Sequence, residues 1–156
     1  MGFVETVKTV FSKYAVFSGR AARPEYWYFA LFAFLTNLAA TLVDFALGTH
    51  FGNGQGSGVL SGITSLALMI PHLAVGFRRL HDTEHSGWWF GGIFLTAVVA
   101  GLTIVFLKPL GAILFVVLGI LALLLLIWLC SAGTPGPNQY GPPPPTAVIP
   151  APIFPE

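Results

Sequence analysis

Four long apolar runs, set apart by short polar or glycine-rich breaks, organise the chain: 26–48, 59–77, 87–107 and 110–130. A helix needs about 20 such residues to cross ~30 Å of hydrocarbon at 1.5 Å per residue. The first run follows Pro24 and Glu25, good first-turn residues, and opens with Tyr26, Trp27 and Tyr28, rings suited to the headgroup level. Near and within the second, Gly54, Gly58 and Gly62 recur every four residues beside Ser57, Ser61 and Ser65. Small residues at that spacing let helices approach closely in lipid. Pro71-His72 is expected to kink this run near its end. Gly87-Trp88-Trp89 opens the third run, Lys108-Pro109 reads as a very short turn, and the fourth is almost purely aliphatic.

Three further segments differ from these runs. In residues 2–17, Phe3, Val7, Val10, Phe11, Tyr14 and Phe17 fall at helical spacing, with Glu5, Lys8, Thr9, Ser12 and Lys13 on much of the other side. That pattern predicts an amphipathic helix lying in the membrane interface, not a span and not a signal peptide. Met1-Gly2 with Thr6 fits a myristoylation pattern, a short match of little weight. Residues 49–58 alternate glycine with polar residues and read as a flexible connector, since no βαβ context or lysine supports a phosphate loop. Residues 131–156 are rich in proline and glycine, so polyproline II and disorder are expected, with mobility beyond Tyr140.

Composition strengthens the membrane reading. Of 156 residues, 55% are hydrophobic and 8% charged, and the mean hydropathy is +0.80. A soluble domain carries roughly 25% charge, so a water-soluble globule and a disordered chain are both excluded. A net charge of +1 excludes nucleic-acid binding by bulk electrostatics. The single cysteine, Cys130, excludes an internal disulfide and a cysteine-rich zinc site, and no neighbour in sequence activates it as a nucleophile. Six of the seven Lys and Arg residues (Lys8, Lys13, Arg20, Arg23, Arg78 and Arg79) fall before the first run or between the second and third, against Lys108 alone on the other side. Positive charge marks the cytoplasmic side. The expectation is an all-α integral membrane protein of the bacterial inner membrane with both termini cytoplasmic. It comprises an interfacial helix and basic linker over 1–25, a four-helix membrane domain over 26–130, and a cytoplasmic tail over 131–156.

This threading puts three polar clusters on one membrane face. They are Gly19-Arg20-Ala21-Ala22-Arg23-Pro24-Glu25-Tyr26-Trp27, Arg78-Arg79-Leu80-His81-Asp82, and Asn138-Gln139-Tyr140-Gly141-Pro142. Together with the later Ser86-Gly87-Trp88-Trp89, these clusters resemble the domain of unknown function 805 family over roughly residues 10–145. The resemblance implies a small multi-span bacterial inner-membrane protein and supplies no biochemical activity. His85 and Gln139 stand where the family usually has a basic residue, and Pro143 where it commonly has an acid.

The candidate functional cluster is therefore Arg20, Arg23, Glu25, Arg78, Arg79, His81, Asp82, Asn138 and Tyr140. The three clusters are expected to meet in space, with Asp82 paired to Arg20 or Arg23, because an unpaired carboxylate near anionic headgroups is disfavoured. Two readings of the arginines compete. As interfacial anchors they would grip lipid phosphates; as a recognition site they would bind a phosphorylated headgroup or an acidic partner segment. The anchor is favoured, because positive-inside placement already accounts for them. His81 and His85 at i, i+4 resemble a zinc-protease spacing, but Asp82 stands where that chemistry needs Glu, so no metal and no cofactor are expected. Asp44 reads first as a solvated end-of-helix carboxylate and second as a cation site with Asn37. His72 reads as a packed histidine, and Trp88 and Trp89 as belt residues.

Three function classes follow. The first is a non-enzymatic interaction or envelope-associated module working through its cytoplasmic face. The second is an oligomeric transporter or channel component with Asp44, Asn37 and His72 as pathway residues, its second copy meeting the small-residue stripe. The third is a lipid-headgroup enzyme using His81 and Asp82. The expected partners are the bilayer, anionic headgroups or another membrane protein, and no nucleic acid.

Overall fold

The computed structural model describes residues 2–49 and 58–145, so residues 50–57 of the glycine-rich connector and the last eleven residues of the tail lie outside the described residues. Five helices form: α1 (Phe3–Ser12), α2 (Arg23–Leu47), α3 (Val59–Asp82), α4 (Trp88–Phe106) and α5 (Lys108–Cys130). The last four are long and apolar enough to cross a membrane. Among the described residues there is no β-strand beyond one isolated bridge between Asn138 and Gly141. Burial runs opposite to that of a water-soluble protein. Arg79 and Asp82 are buried, while Phe94, Val105 and Phe106 are two-thirds or more exposed. That is the arrangement expected when the solvent is hydrocarbon and charges must be enclosed by protein.

Three boundaries differ from the sequence expectation. Helix α1 stops at Ser12, not near residue 17. The α3 helix runs through Pro71 and continues five residues past Phe77, so Arg78 to Asp82 form its last turn and not a loop. Arg79 and His81 there suit the negative end of the helix dipole, and Leu80 is fully buried. Helices α4 and α5 are separated by Leu107 alone, because Lys108 and Pro109 are already the first turn of α5, where a missing N–H costs nothing.

The chain divides into two units, one of Met1–Phe17 and Pro24–Val75, the other of Ser18–Arg23 and Gly76–Glu156. In the first, Phe11 of α1 sits edge-on to Phe29 and Phe32 of α2, with centroids at 5.7 and 5.8 Å, and Phe3 packs on Tyr28. Proline 71 has no N–H to offer the carbonyl of Ala67, four residues earlier. The Tyr14 hydroxyl fills that place, donating to Ala67 O at 2.5 Å.

Asp44 in this unit is neither solvated nor paired with Asn37. Its buried carboxylate accepts from the Thr49 hydroxyl at 2.7 Å and from the backbone N–H groups of Leu60 and Ser61 at 3.0 and 2.7 Å. Those N–H groups belong to the first turn of α3, which has no helical partner for them. Asp44 thus caps the next helix and meets its positive dipole end. A side chain at Gly58 would land on this carboxylate, which is why the residue before α3 has none.

Candidate functional site

The densest polar cluster lies wholly within the second unit, where α3 and α5 end. Both C-termini leave carbonyls that no intrahelical N–H reaches. The α3 end turns by a Schellman arrangement: His85 N donates to Leu80 O at 2.9 Å and Glu84 N to His81 O at 3.2 Å. Glu84 takes the left-handed position with φ of 63°, a place usually given to glycine. The segment after α5 satisfies what remains. Thr134 N donates to Asp82 O at 2.9 Å, and the Asn138 side-chain amide donates to His81 O at 2.9 Å.

Two arginines hold this segment in place. Arg79 reaches from α3 to the end of α5, its Nε donating to Leu129 O at 3.0 Å and its Nη2 to Ser131 O. Arg20 donates from Nη1 to Gly136 O and from Nη2 to Thr134 O, both at 2.6 Å. Asp82 stands between them. Its Oδ1 accepts from Arg20 Nε at 2.8 Å and its Oδ2 from Arg79 Nη1 at 2.5 Å. All three side chains are at most 5% exposed. Gly133 passes so close that any side chain there would strike the Asp82 carboxylate.

Opposite charges meet within this knot. A carboxylate on the last turn of a helix meets the negative dipole end and is disfavoured there. Two guanidinium charges offset it. They also face the C-termini of α3 and α5, each equivalent to about half a negative charge. One carboxylate and two helix ends thus offset much of the charge of Arg20 and Arg79.

Rings flank the knot. His81 stacks on Tyr140 with centroids 4.0 Å apart and planes 4° apart, and its Nδ1 lies 3.1 Å from Gly19 O. His85 stacks on Trp128 at 3.9 Å with its Nδ1 3.2 Å from the Thr83 hydroxyl. The helix ends between the two histidines, so they do not share a helix face as a zinc pair would. Among the described residues no three His, Cys, Asp or Glu side chains converge.

Of the nine candidates, Arg20, Arg79, His81, Asp82, Asn138 and Tyr140 come together here. Asp82 takes Arg20 and not Arg23, which is exposed at the start of α2. Arg78 is buried beside the knot, its carbonyl accepting from Ala21 N at 2.9 Å. Glu25 lies on α2 in the other unit. The anchor reading of Arg20 and Arg79 is corrected: both are turned inward onto carbonyls and Asp82. The tail expectation is corrected in part, since Ser131, Thr134, Gly136, Asn138 and Gly141 all carry hydrogen bonds. Sequence reasoning missed Gly133, Thr134, Gly136 and Trp128. The glycines of a proline-rich stretch were the available signal, because glycine also serves close approach. In the first unit, Asn37 and His72 line one cavity, and Asp44 is not part of it.

Proteins of similar sequence are named as membrane proteins. A family described as a protein of unknown function (DUF805) matches residues 14–142. The chain is 36% identical over 135 residues to the inner membrane protein YhaH of Escherichia coli (strain K12), covering 86% of this chain and 92% of that one. It is 35% identical over 133 residues to the inner membrane protein YhaI of the same strain, covering 85% and 89%. No solved structure matches.

Proposed function

The chain belongs to the DUF805 family of proteins of unknown function, and we propose that within it this protein is a non-enzymatic interaction module. Its working surface is the knot where α3 and α5 end, facing the cytoplasm. One observation carries the reading: every charge of the Arg20–Asp82–Arg79 network is spent on its own backbone and on itself. Catalysis needs a free acid, base or nucleophile poised at a reacting atom. Phosphate recognition needs an arginine fork open to the ligand. Here Asp82 has both oxygens occupied, and Arg20 and Arg79 cap carbonyls. Such a network fixes the shape of a surface. The exposed Gln139 and the stacked Tyr140 and His81 are then held in one geometry for a protein partner.

Orientation belongs to the same proposal. Support comes from Lys8, Lys13, Arg20 and Arg23, before or at the start of α2, and from Arg78 and Arg79 in the last turn of α3, since positive charge favours the cytoplasmic side for the knot and both termini. Helix α1 lies along that interface, lysines toward phosphates. Reporter fusions after Glu25, Gly54, Glu84, Lys108 and Tyr140 should alternate in, out, in, out, in, and a periplasmic signal at Tyr140 refutes the topology.

A photo-reactive residue at Gln139 in living cells tests the function. A discrete protein adduct that disappears with Tyr140→Ala supports the module. Adducts to lipid alone, or headgroup turnover by the purified protein that His81→Ala abolishes, refute it.

A further inference from the structure

The first unit carries a second polar feature, independent of the knot. Between α2 and α3 lies a cavity of about 410 Å³. Its walls are Ala33, Leu68 and Met69, with three polar side chains: Asn37, Ser65 and His72. Ser65 and His72 stand about 9 and about 20 Å along α3 from Val59 at 1.5 Å per residue. The cavity therefore sits at the middle of two membrane-length helices, and Ser65 and Met69 on its rim are exposed. No Asp, Glu, Lys or Arg lines it.

The hydrogen-bond inventory defines what fits. Asn37 Oδ1 accepts from the Ser65 hydroxyl at 2.7 Å, and Asn37 Nδ2 donates one hydrogen to Ala33 O at 3.0 Å. The second amide hydrogen of Asn37 remains. His72 is held by ring contacts, edge-on to Tyr26 and Phe29 at 5.8 and 6.1 Å. Its ring nitrogens bond to no group among the described residues. A neutral imidazole offers one N–H. The cavity thus presents two spare donors, one at each end of an apolar slot. Polar side chains at this depth are costly unless they serve an internal partner or a ligand.

We infer that this cavity is a binding site for a neutral, lipid-dissolved molecule with a hydrogen-bond acceptor at each end of a flat ring, that is, a quinone bearing an apolar tail. The absence of charged lining turns away ions and phosphorylated compounds, and the depth admits only what dissolves in the bilayer. The Ser65 bond holds the Asn37 amide at one end of the slot, and His72 stands two helical turns along α3 at the other, so an elongated molecule with an acceptor at each end, such as a ring dione, can meet both donors. The volume lies within the ~300–1,000 Å³ of small-molecule sites. The tail would leave past Met69 toward lipid. This inference goes beyond the interaction module and does not depend on it.

The test uses the full chain in lipid nanodiscs and a short-tailed quinone, decylubiquinone, with decanol and decane as controls. The expected result is a saturable rise in the thermal unfolding midpoint with the quinone alone. Asn37→Leu and His72→Phe should each weaken binding at least tenfold. Met69→Trp fills the slot while leaving its polar groups, so it should abolish binding even if Asn37→Leu fails to fold. A flat response to the quinone, an equal response to decanol, or undiminished binding by Met69→Trp and His72→Phe overturns the inference.

Discussion

The contact between Tyr14 and Ala67 yields a prediction that only one mechanism produces. Proline 71 deprives Ala67 O of its helical donor, and the Tyr14 hydroxyl donates in its place at 2.5 Å. Tyr14→Phe keeps the ring stacked on Phe11 and removes only that donor. An orphaned buried carbonyl costs about 1–3 kcal/mol, and side-chain hydrogen bonds measured within membranes average ~0.6 kcal/mol. Ala67 is exposed, so the low end applies, about 1 kcal/mol or roughly a fivefold change in the unfolding constant. Pro71→Ala restores an N–H four residues after Ala67, which closes the ordinary helical bond. In that background Tyr14→Phe should cost close to nothing. Unfolding in mixed micelles, followed by tryptophan fluorescence across the four variants, measures the coupling directly, and any effect of Pro71→Ala by itself cancels. A cost for Tyr14→Phe that is equal within about 0.3 kcal/mol in both backgrounds would refute the reasoning.

The remaining predictions concern the knot and the α3 caps. Asp82→Asn leaves two buried guanidinium groups short of charge, so it should cost about 3–5 kcal/mol in the same unfolding assay, and its combination with Arg20→Ala should cost less than the two singles added. Gly133→Ala should destabilise the protein through the displaced Asp82 carboxylate, visible as a lowered thermal midpoint. Glu84→Gly should stabilise it by roughly 1 kcal/mol, because the left-handed position carries no penalty for glycine; a lowered midpoint would show that Glu84 is needed for its side chain. Truncation after Pro145 spares every residue of the knot and should leave the midpoint unchanged, whereas truncation after Ser131 removes Thr134, Gly136 and Asn138 and should lower it by several degrees.

The spans were legible because hydrocarbon thickness and apolar length are tied by geometry. The four runs read from hydropathy match α2 to α5 to within a few residues at most ends. The exception is the end of α3, and its cause is physical. Hydropathy assigns Arg78, Arg79 and Asp82 to a loop because it scores each side chain as if water were its alternative. In the folded chain Arg79 meets carbonyls and the Asp82 carboxylate, and Arg78 is buried, so the helix continues through them. Asp44 misled in the same way. An acid near a span end looks solvated until the first turn of the next helix supplies N–H donors, and nothing in local sequence says which turn will arrive.

The knot divides along the same line. That Asp82 would find an arginine from the first cluster was readable from charge alone, since one carboxylate among several cations must pair. That Arg20 would be chosen over Arg23 was not, because the choice depends on Gly136 and Thr134 carbonyls that only the folded tail presents. The arginines were read as reaching outward because six positive charges on one face already had an explanation. That explanation concerns their side of the membrane and is silent about their direction. What sets the direction is the end of two helices: orphaned carbonyls attract donors, and the negative ends of two dipoles attract cations. A pair of arginines beside a helix C-terminus, followed by a glycine-rich segment after the last span, is therefore better read as a cap seeking carbonyls than as a hand extended to phosphates.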